Sequence, residues 1–311
     1  VQTPVVVRPP YKEGTQTINI RREVIRLDTV IGDRHRADDS CIFLLDEEEK
    51  IGYLRISHFT KRTASELHDA LRKLKEAGMR GLVLDLRFNP GGLLQSAVDV
   101  CDLFIDKGLI VSTEGRNVKP QEWFARPFGK FSDFPLAVIV NRYSASASEI
   151  VSACLQDHNR AIVVGERTWG KGSVQNVVEL EDGQSALKLT TASYHRPSGK
   201  NIHRFPDAKE TDEWGVTPND GYAVRFSDRE LTEFHRYRQN RDLPRETASD
   251  VPEFTDKQLE KALEYIRSKL RDADGGEKVE PADPPAAPVR ESKDAAALPR
   301  LPLPKARPFH A

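Results

Sequence analysis

The chain has little cysteine, methionine or tryptophan: three, one and three among 311 residues. The cysteines are Cys41, Cys101 and Cys154, with no C-x-x-C pair. A set so sparse and odd in number argues against a disulfide framework. Cys101 and Cys154 sit among apolar residues of expected helices and read as buried free thiols. No apolar run approaches the roughly 18 residues needed to cross a bilayer. Neither sign of charge is in excess, with 47 Lys plus Arg against 48 Asp plus Glu and a net charge of −1. Nothing in that balance calls for nucleic acid or an anionic membrane as partner. There is no initial Met and no signal-like apolar segment, as in a mature chain or a fragment. H-E-x-x-H is absent, and the 8 histidines form no triad-like set, which argues against a metal centre. No internal repeat is visible. What the chain does have is length for one large domain or two ordinary ones, and well-mixed charge on 31% of residues.

Residues 1–30 contain two short β-like runs, PVVVR and TQTINIRREVI, split by PPYKEG. Two strands alone cannot bury a core, so they read as the end of something larger. IGYLRIS (51–57) predicts a strand. A helix capped by Thr63 or Ser65 follows, with Leu67, Leu71 and Leu74 on one face and Gly78 at its end. GLVLDLR (81–87) is a continuous apolar strand of the kind buried on both faces. After FNPGG a helix is expected from about Leu93 to Ile105. LIVSTEG and PLAVIVN read as strands, SASASEIVSACLQDH runs into a helix, and AIVVG is a strand. This alternation from 51 to 165 predicts an α/β domain with a mainly parallel sheet. Beyond it, VQNVVEL and SALKLTTASYH around EDGQ predict a β-hairpin. Amphipathic helices are expected near 228–241 and 255–271. The Asp-, Glu-, Pro- and Ala-rich stretch 273–311 has the composition of a disordered tail.

GERTWGKGSVQ (165–175) looks at first like a phosphate loop. Such a loop opens a helix and supplies a hydroxyl for magnesium. Here Gly172 takes the hydroxyl position, and the Val-rich SVQNVVEL that follows alternates like a strand. Lys171 therefore needs another role, or is a solvated lysine in a glycine-rich turn.

NRYSASASEIVSACLQDH offers one. A strand ends near Asn141 and a helix starts within SASAS. Small residues at such a turn let a side chain stand exposed beside outward N–H groups, where the helix dipole favours negative charge. That suits a serine nucleophile with an oxyanion hole. Serine and alanine also simply start helices, and from this stretch alone capping is the simpler reading. Histidine is the usual activator, but His158 lies at the far end of the same helix. At 1.5 Å per residue that is roughly 18 Å away, and His158 reads as a C-terminal cap. A lysine serves as general base when desolvation brings its pKa toward neutrality. The strand AIVVG returns the chain to the sheet's carboxyl edge, which places Lys171 for this work. Flanking glycines would let its backbone pass close to the nucleophile, and Gln175 falls on the same side of an extended segment.

At these residues the sequence resembles the C-terminal processing (tail-specific) peptidases, a family of Ser-Lys serine peptidases. The matching motifs are SASASEI (144–150), VVGERTWGKGSVQ (163–175), DLRFNPGGLL (85–94), YHRPSGKNI (194–202) and WGVTPND (214–220), within roughly 15–240. The resemblance implies Ser146 as nucleophile, Lys171 as base 25 residues later, and Gln175 as the third catalytic-site residue. It implies oxyanion donors at the Ala147 N–H and at Gly91 or Gly92. The implied fold is an α/β crotonase/ClpP-like core over 31–225, with C-terminal helices over 226–272. Residues 1–30 would be the end of a PDZ domain and a linker. Lys171 would be neutral in a dry pocket, and neither a metal nor an organic cofactor is implied. The implied partners are unfolded or tagged protein substrates bound in extended form, in a bacterial cell envelope, periplasmic or membrane-associated; a homo-oligomer is compatible with the sequence. YHRPSG reads equally as a strand that pairs with substrate or as a structural hairpin. A non-catalytic ligand- or peptide-binding protein on the same fold would be expected to lose Ser146, Lys171 or Gln175, and this chain keeps all three. A crotonase-like acyl-CoA enzyme could use FNPGG but needs no Ser-Lys pair.

Overall fold

The structure is a computed structural model and describes residues 2–7, 14–21, 23, 27–36, 38, 40–127, 130–242 and 254–275. The first strands are β1 (Gln2–Val7) and β2 (Gln16–Arg21), an antiparallel pair, then β3 (Val30–Ile31), β4 (Arg34–His35), β5 (Cys41–Ile42) and β6 (Leu44–Asp46). The core follows as β7 (Ile51–Ile56), α1 (Thr63–Glu76), β8 (Gly81–Asp85), α2 (Leu94–Asp102), β9 (Leu109–Gly115), β10 (Val118–Phe124), β11 (Leu136–Val140), α3 (Ala147–Asp157) and β12 (Ile162–Gly165). A hairpin of β13 (Ser173–Leu180) and β14 (Ser185–His195) and the helices α4 (Asp228–Arg241) and α5 (Lys257–Ala273) complete it. The PPYKEG turn lies largely outside the described residues, and the expected disordered tail lies outside them from 276 onward.

The main sheet runs β12-β11-β8-β7-β3, with β6 also on β7. β7, β8, β11 and β12 are parallel; β3 and β6 are antiparallel to β7. Strand alternation divides its side chains between two cores. Leu82, Leu84, Val138 and Val140 face one way, against Leu71 of α1, Val100 of α2 and Val151 of α3. Val83, Ala137 and Ile139 face the other way, against Ala262 and Ile266 of α5. These strands read as unbroken apolar runs because both faces are covered. Each such side chain contributes about 1.5–3 kcal/mol by leaving water.

Two readings are corrected. β9, expected in the parallel sheet, leaves it. It pairs antiparallel with β10 and β14 in a second sheet, β10-β9-β14-β13. Its LIVSTEG run fits either setting, since periodicity cannot tell which sheet covers a short apolar strand. Neither Thr63 nor Ser65 caps α1: the N-cap is Arg62, without a side-chain bond. The Thr63 hydroxyl lies instead at 2.9 Å from the Thr60 N–H and 2.8 Å from Thr29 Oγ1. The segment after His195, left open between a substrate-pairing strand and a structural hairpin, makes bonds within the fold. Arg196 N–H donates to Lys200 O, and the Arg196 guanidinium binds Asp157 of α3 at 2.5 Å. Elsewhere the reading agrees: the hairpin and α4 and α5 stand where expected, Cys101 and Cys154 are buried and free, and His158 caps α3.

A buried ion cluster ties α5 to the end of β8. Arg87 binds Asp85 at 2.6 Å and Asp256, the N-cap of α5, at 2.8 Å. Tyr53 donates to Asp85 at 2.7 Å. The chain leaves this anchor directly into the 88–92 loop.

Candidate active site

The site forms where β8 and β11 end. Ser146 is the N-cap of α3, half-buried, with φ 56° and ψ −113°. A non-glycine residue in that region stores about 1–3 kcal/mol of strain and holds only where its surroundings over-determine it. Much of that determination comes from Asn89, which is fully buried. Its carbonyl accepts from Ala145 N–H at 3.0 Å and from the Ser148 hydroxyl at 2.9 Å. Its side chain donates to Ile56 O at 2.8 Å and accepts from Gly91 N–H at 2.9 Å. Ser144 adds a bond to Leu86 O, also at 2.9 Å. The serine turn and the 88–92 loop are thus stitched together from both sides.

Gly91 has φ 101°, and a Cβ there would lie 2.8 Å from Ser146 Cβ and 2.9 Å from Ala147 N. Only glycine allows this approach. The Gly91 N–H is taken by Asn89. Gly91 O and Leu93 N–H both turn to Phe59, so in the extended backbone between them the Gly92 N–H faces away from Phe59. The N–H groups of Gly92 and Ala147 have no acceptor among the described residues. The Ala147 N–H is one of the open donors at a helix N-terminus.

Lys171 arrives on the loop between β12 and β13. Its N–H and that of Ser146 donate to the same oxygen, Oε2 of Glu149, each at 2.8 Å. The two backbone nitrogens are therefore within twice that distance of each other. The other oxygen, Oε1, accepts from Thr168 Oγ1 and from Gly170 N–H, both at 2.6 Å. Burial pushes the Glu149 carboxyl above its usual range, against the pull of these four bonds.

The side chains are less closely gathered than the backbones. Lys171 is exposed, so the expected dry pocket is not formed in this arrangement. Gln175 is exposed on β13, opposite Thr190. Among the described residues, Lys171 Nζ and the Gln175 carboxamide have no hydrogen bond, and the Ser146 hydroxyl lies in capping-box position toward the Glu149 N–H. The glycines beside Lys171 serve a different approach from the one expected. A Cβ on Gly170 would meet Arg204 Cβ at 2.6 Å, and one on Gly172 would meet His203 N at 2.4 Å. They let the loop lie against 202–204, while Gly91 makes the close pass to the serine.

An apolar cleft of about 760 Å³ borders Ala145 and Lys171, walled by Phe88, Pro90, Tyr143, Trp169 and His235. Phe88 is stacked between Tyr143 and Phe234, with centroids 5.4 and 5.8 Å away. A second cleft of about 840 Å³ shares Tyr143, Trp169 and Lys171 and has Arg142, Arg167 and Arg204 in its wall. Asn89 and Glu149 were not singled out from the sequence. Glu149 stands at capping-box spacing from Ser146, S-x-x-E, a signal that could have found it.

The model of Peptidase family S41 matches residues 50–219, which contain the 88–92 loop, Ser146, Glu149, Lys171 and Gln175. The chain belongs to peptidase family S41. It is 39% identical over 244 residues to the carboxy-terminal-processing protease of Bartonella bacilliformis, covering 73% of this chain and 54% of that relative. It is 40% identical over 193 residues to a carboxyl-terminal-processing protease of Synechocystis, covering 62% of this chain and 43% of that one. The structure of a photosystem II D1 C-terminal processing protease superposes with a TM-score of 0.52 at 30% identity, covering 78% of this chain and 60% of that one. This S41 chain has the α/β architecture of those folds, and it spans about half the length of the curated relatives it matches.

Proposed function

We propose that this S41 chain carries the catalytic centre of a serine endopeptidase that cuts proteins near their C-termini through Ser146 and Lys171. The observation that carries the reading is the convergence at the end of α3. Ser146 is held in a strained turn between open N–H donors, and the Lys171 backbone is bonded to the same carboxylate oxygen. In the scheme, neutral Lys171 takes the Ser146 proton as Oγ attacks a peptide carbonyl. The oxyanion forms against the N–H groups of Ala147 and Gly92, the donors that have no other acceptor. The C–N bond breaks, the leaving amine takes the proton from Lys171, and an ester on Ser146 remains. A water then gives its proton to Lys171 and its oxygen to the acyl carbon, and the proton returns to Ser146. Gln175 would orient Lys171 or the substrate.

The exposure of Lys171 supports reading this arrangement as a resting one. A substrate lying over the apolar cleft would remove water from Lys171 and lower its pKa by desolvation. On this reading an extended, unfolded segment occupies the cleft walled by Tyr143 and Trp169. We further take the core as crotonase/ClpP-like, residues 1–30 as the end of a PDZ domain, and the setting as the bacterial cell envelope.

The test is cleavage of casein by the parent, Ser146→Ala and Lys171→Ala chains in the presence of a metal chelator. Loss in both variants, with no effect of chelator, is expected. Cleavage that survives in either variant removes the assignment.

A further inference from the structure

The Ser-Lys scheme gives Glu149 no work, yet its carboxylate is more completely bonded than any other group of the site. Glu149 is fully buried in the first turn of α3. No Lys, Arg or His forms an ion pair with it among the described residues. A buried carboxylate without a cation is costly unless its lone pairs are filled. Here all four lone-pair sites are used, two on each oxygen: Ser146 N–H and Lys171 N–H on Oε2, Thr168 Oγ1 and Gly170 N–H on Oε1. Capping a helix accounts for the bond to Ser146 alone. The other three come from the loop that carries the base, about twenty residues away in sequence.

We propose that Glu149 is a positioning residue for peptide hydrolysis, its Oε2 clamping the backbones of nucleophile and base to one point. The inference rests on the Ser-Lys reading above. The clamp holds the strained Ser146 turn through its N–H. It also fixes the origin of the Lys171 side chain while leaving that side chain free to swing over the serine. Without it, the recorded bond from the 168–171 loop to the serine turn would be Trp169 N–H to Ser144 O at 3.0 Å, which involves neither Ser146 nor Lys171. Glu149→Gln separates shape from bonding. The amide is nearly isosteric, but its NH₂ faces two donors, so one of the two donor pairs must lose its acceptor.

The experiment is steady-state hydrolysis of an unfolded protein substrate by the parent, Glu149→Gln and Ser146→Ala chains, with folded fraction measured by circular dichroism. Glu149→Gln should lose about 100-fold in kcat, as a misplacement of about 1 Å does, with KM within about threefold. A parental kcat beside an inactive Ser146→Ala overturns the positioning role and leaves the peptidase reading intact. Cleavage by Ser146→Ala overturns both. A loss that merely tracks the folded fraction also overturns the positioning role. Amide exchange in the parent gives an independent check by NMR. The Ser146 and Lys171 N–H protons should exchange slowly although Lys171 is exposed and Ser146 half-buried. Fast exchange at either removes the clamp.

Discussion

Asp85 and Glu149 are both buried carboxylates at the carboxyl edge of the main sheet, and they are compensated in opposite ways. Asp85 has a full cation: Arg87 at 2.6 Å, shared with Asp256 of α5. Burial would raise its pKa, but the Arg87 charge and bonds override it and hold the carboxyl below its usual range. Glu149 has only N–H and O–H dipoles, and there burial prevails and the pKa goes up. Charge pairing locks the fold where α5 must be fastened to β8. Dipoles alone are used where two backbone segments meet beside Lys171, the proposed base. The first arrangement is costly to break; the second is the one proposed above to serve function.

The sharpest separation comes from the reacting groups. Ser146→Ala and Lys171→Ala should each lower turnover by about 10⁴-fold or more. Their stability in urea should change by no more than about 1 kcal/mol, the worth of one helix cap. The reverse holds for Arg87→Met. It strips the cation from two buried carboxylates and should remove about 3–5 kcal/mol of unfolding free energy in urea titrations. Gly91→Ala falls between. Its Cβ would press on Ser146 at 2.8 Å, and initial rates should fall about 100-fold. Gly78→Ala, also at positive φ but with nothing within 4 Å, should leave rates unchanged.

The smallest effect is in pH. Asp85 has a depressed folded pKa, so its contribution is present above the unfolded value of about 3.9 and is lost as pH falls through the folded one. Glu149 has a raised folded pKa. Its contribution is present below about 4.3 and is lost as pH rises through the folded value. Unfolding free energies measured from pH 4 to 8 should show the parent losing ground to Glu149→Gln as pH rises. An unchanged difference would remove the contrast between the two carboxylates.

Much of this was legible in the sequence. The unbroken apolar runs of β8 and β11 announced a sheet covered on both faces. Ser146 and Lys171 came from the resemblance carried by the SASAS turn and the GKG loop, and the structure brings their backbones to one carboxylate oxygen. The helices α4 and α5 followed from amphipathic spacing. What was not legible depends on three-dimensional closure. β9 looks like its parallel neighbours, because local pattern does not say which strand will accept its hydrogen bonds. The glycines around Lys171 suggested a close pass to the nucleophile, whereas the segment they lie against is 202–204. Glu149 reads as an ordinary first-turn acid, since three of its four partners come from a distant loop. The exposure of Lys171 depends on what lies over the cleft, which no local motif records.

The central claim is that Ser146 is a nucleophile activated by Lys171. Its most direct test is labelling with a fluorophosphonate, with the adduct located by peptide mass spectrometry. One adduct is expected, on Ser146, formed at least 100-fold more slowly in Lys171→Ala at neutral pH. An adduct on another residue, or labelling of Ser146 at the parental rate without Lys171, would contradict it.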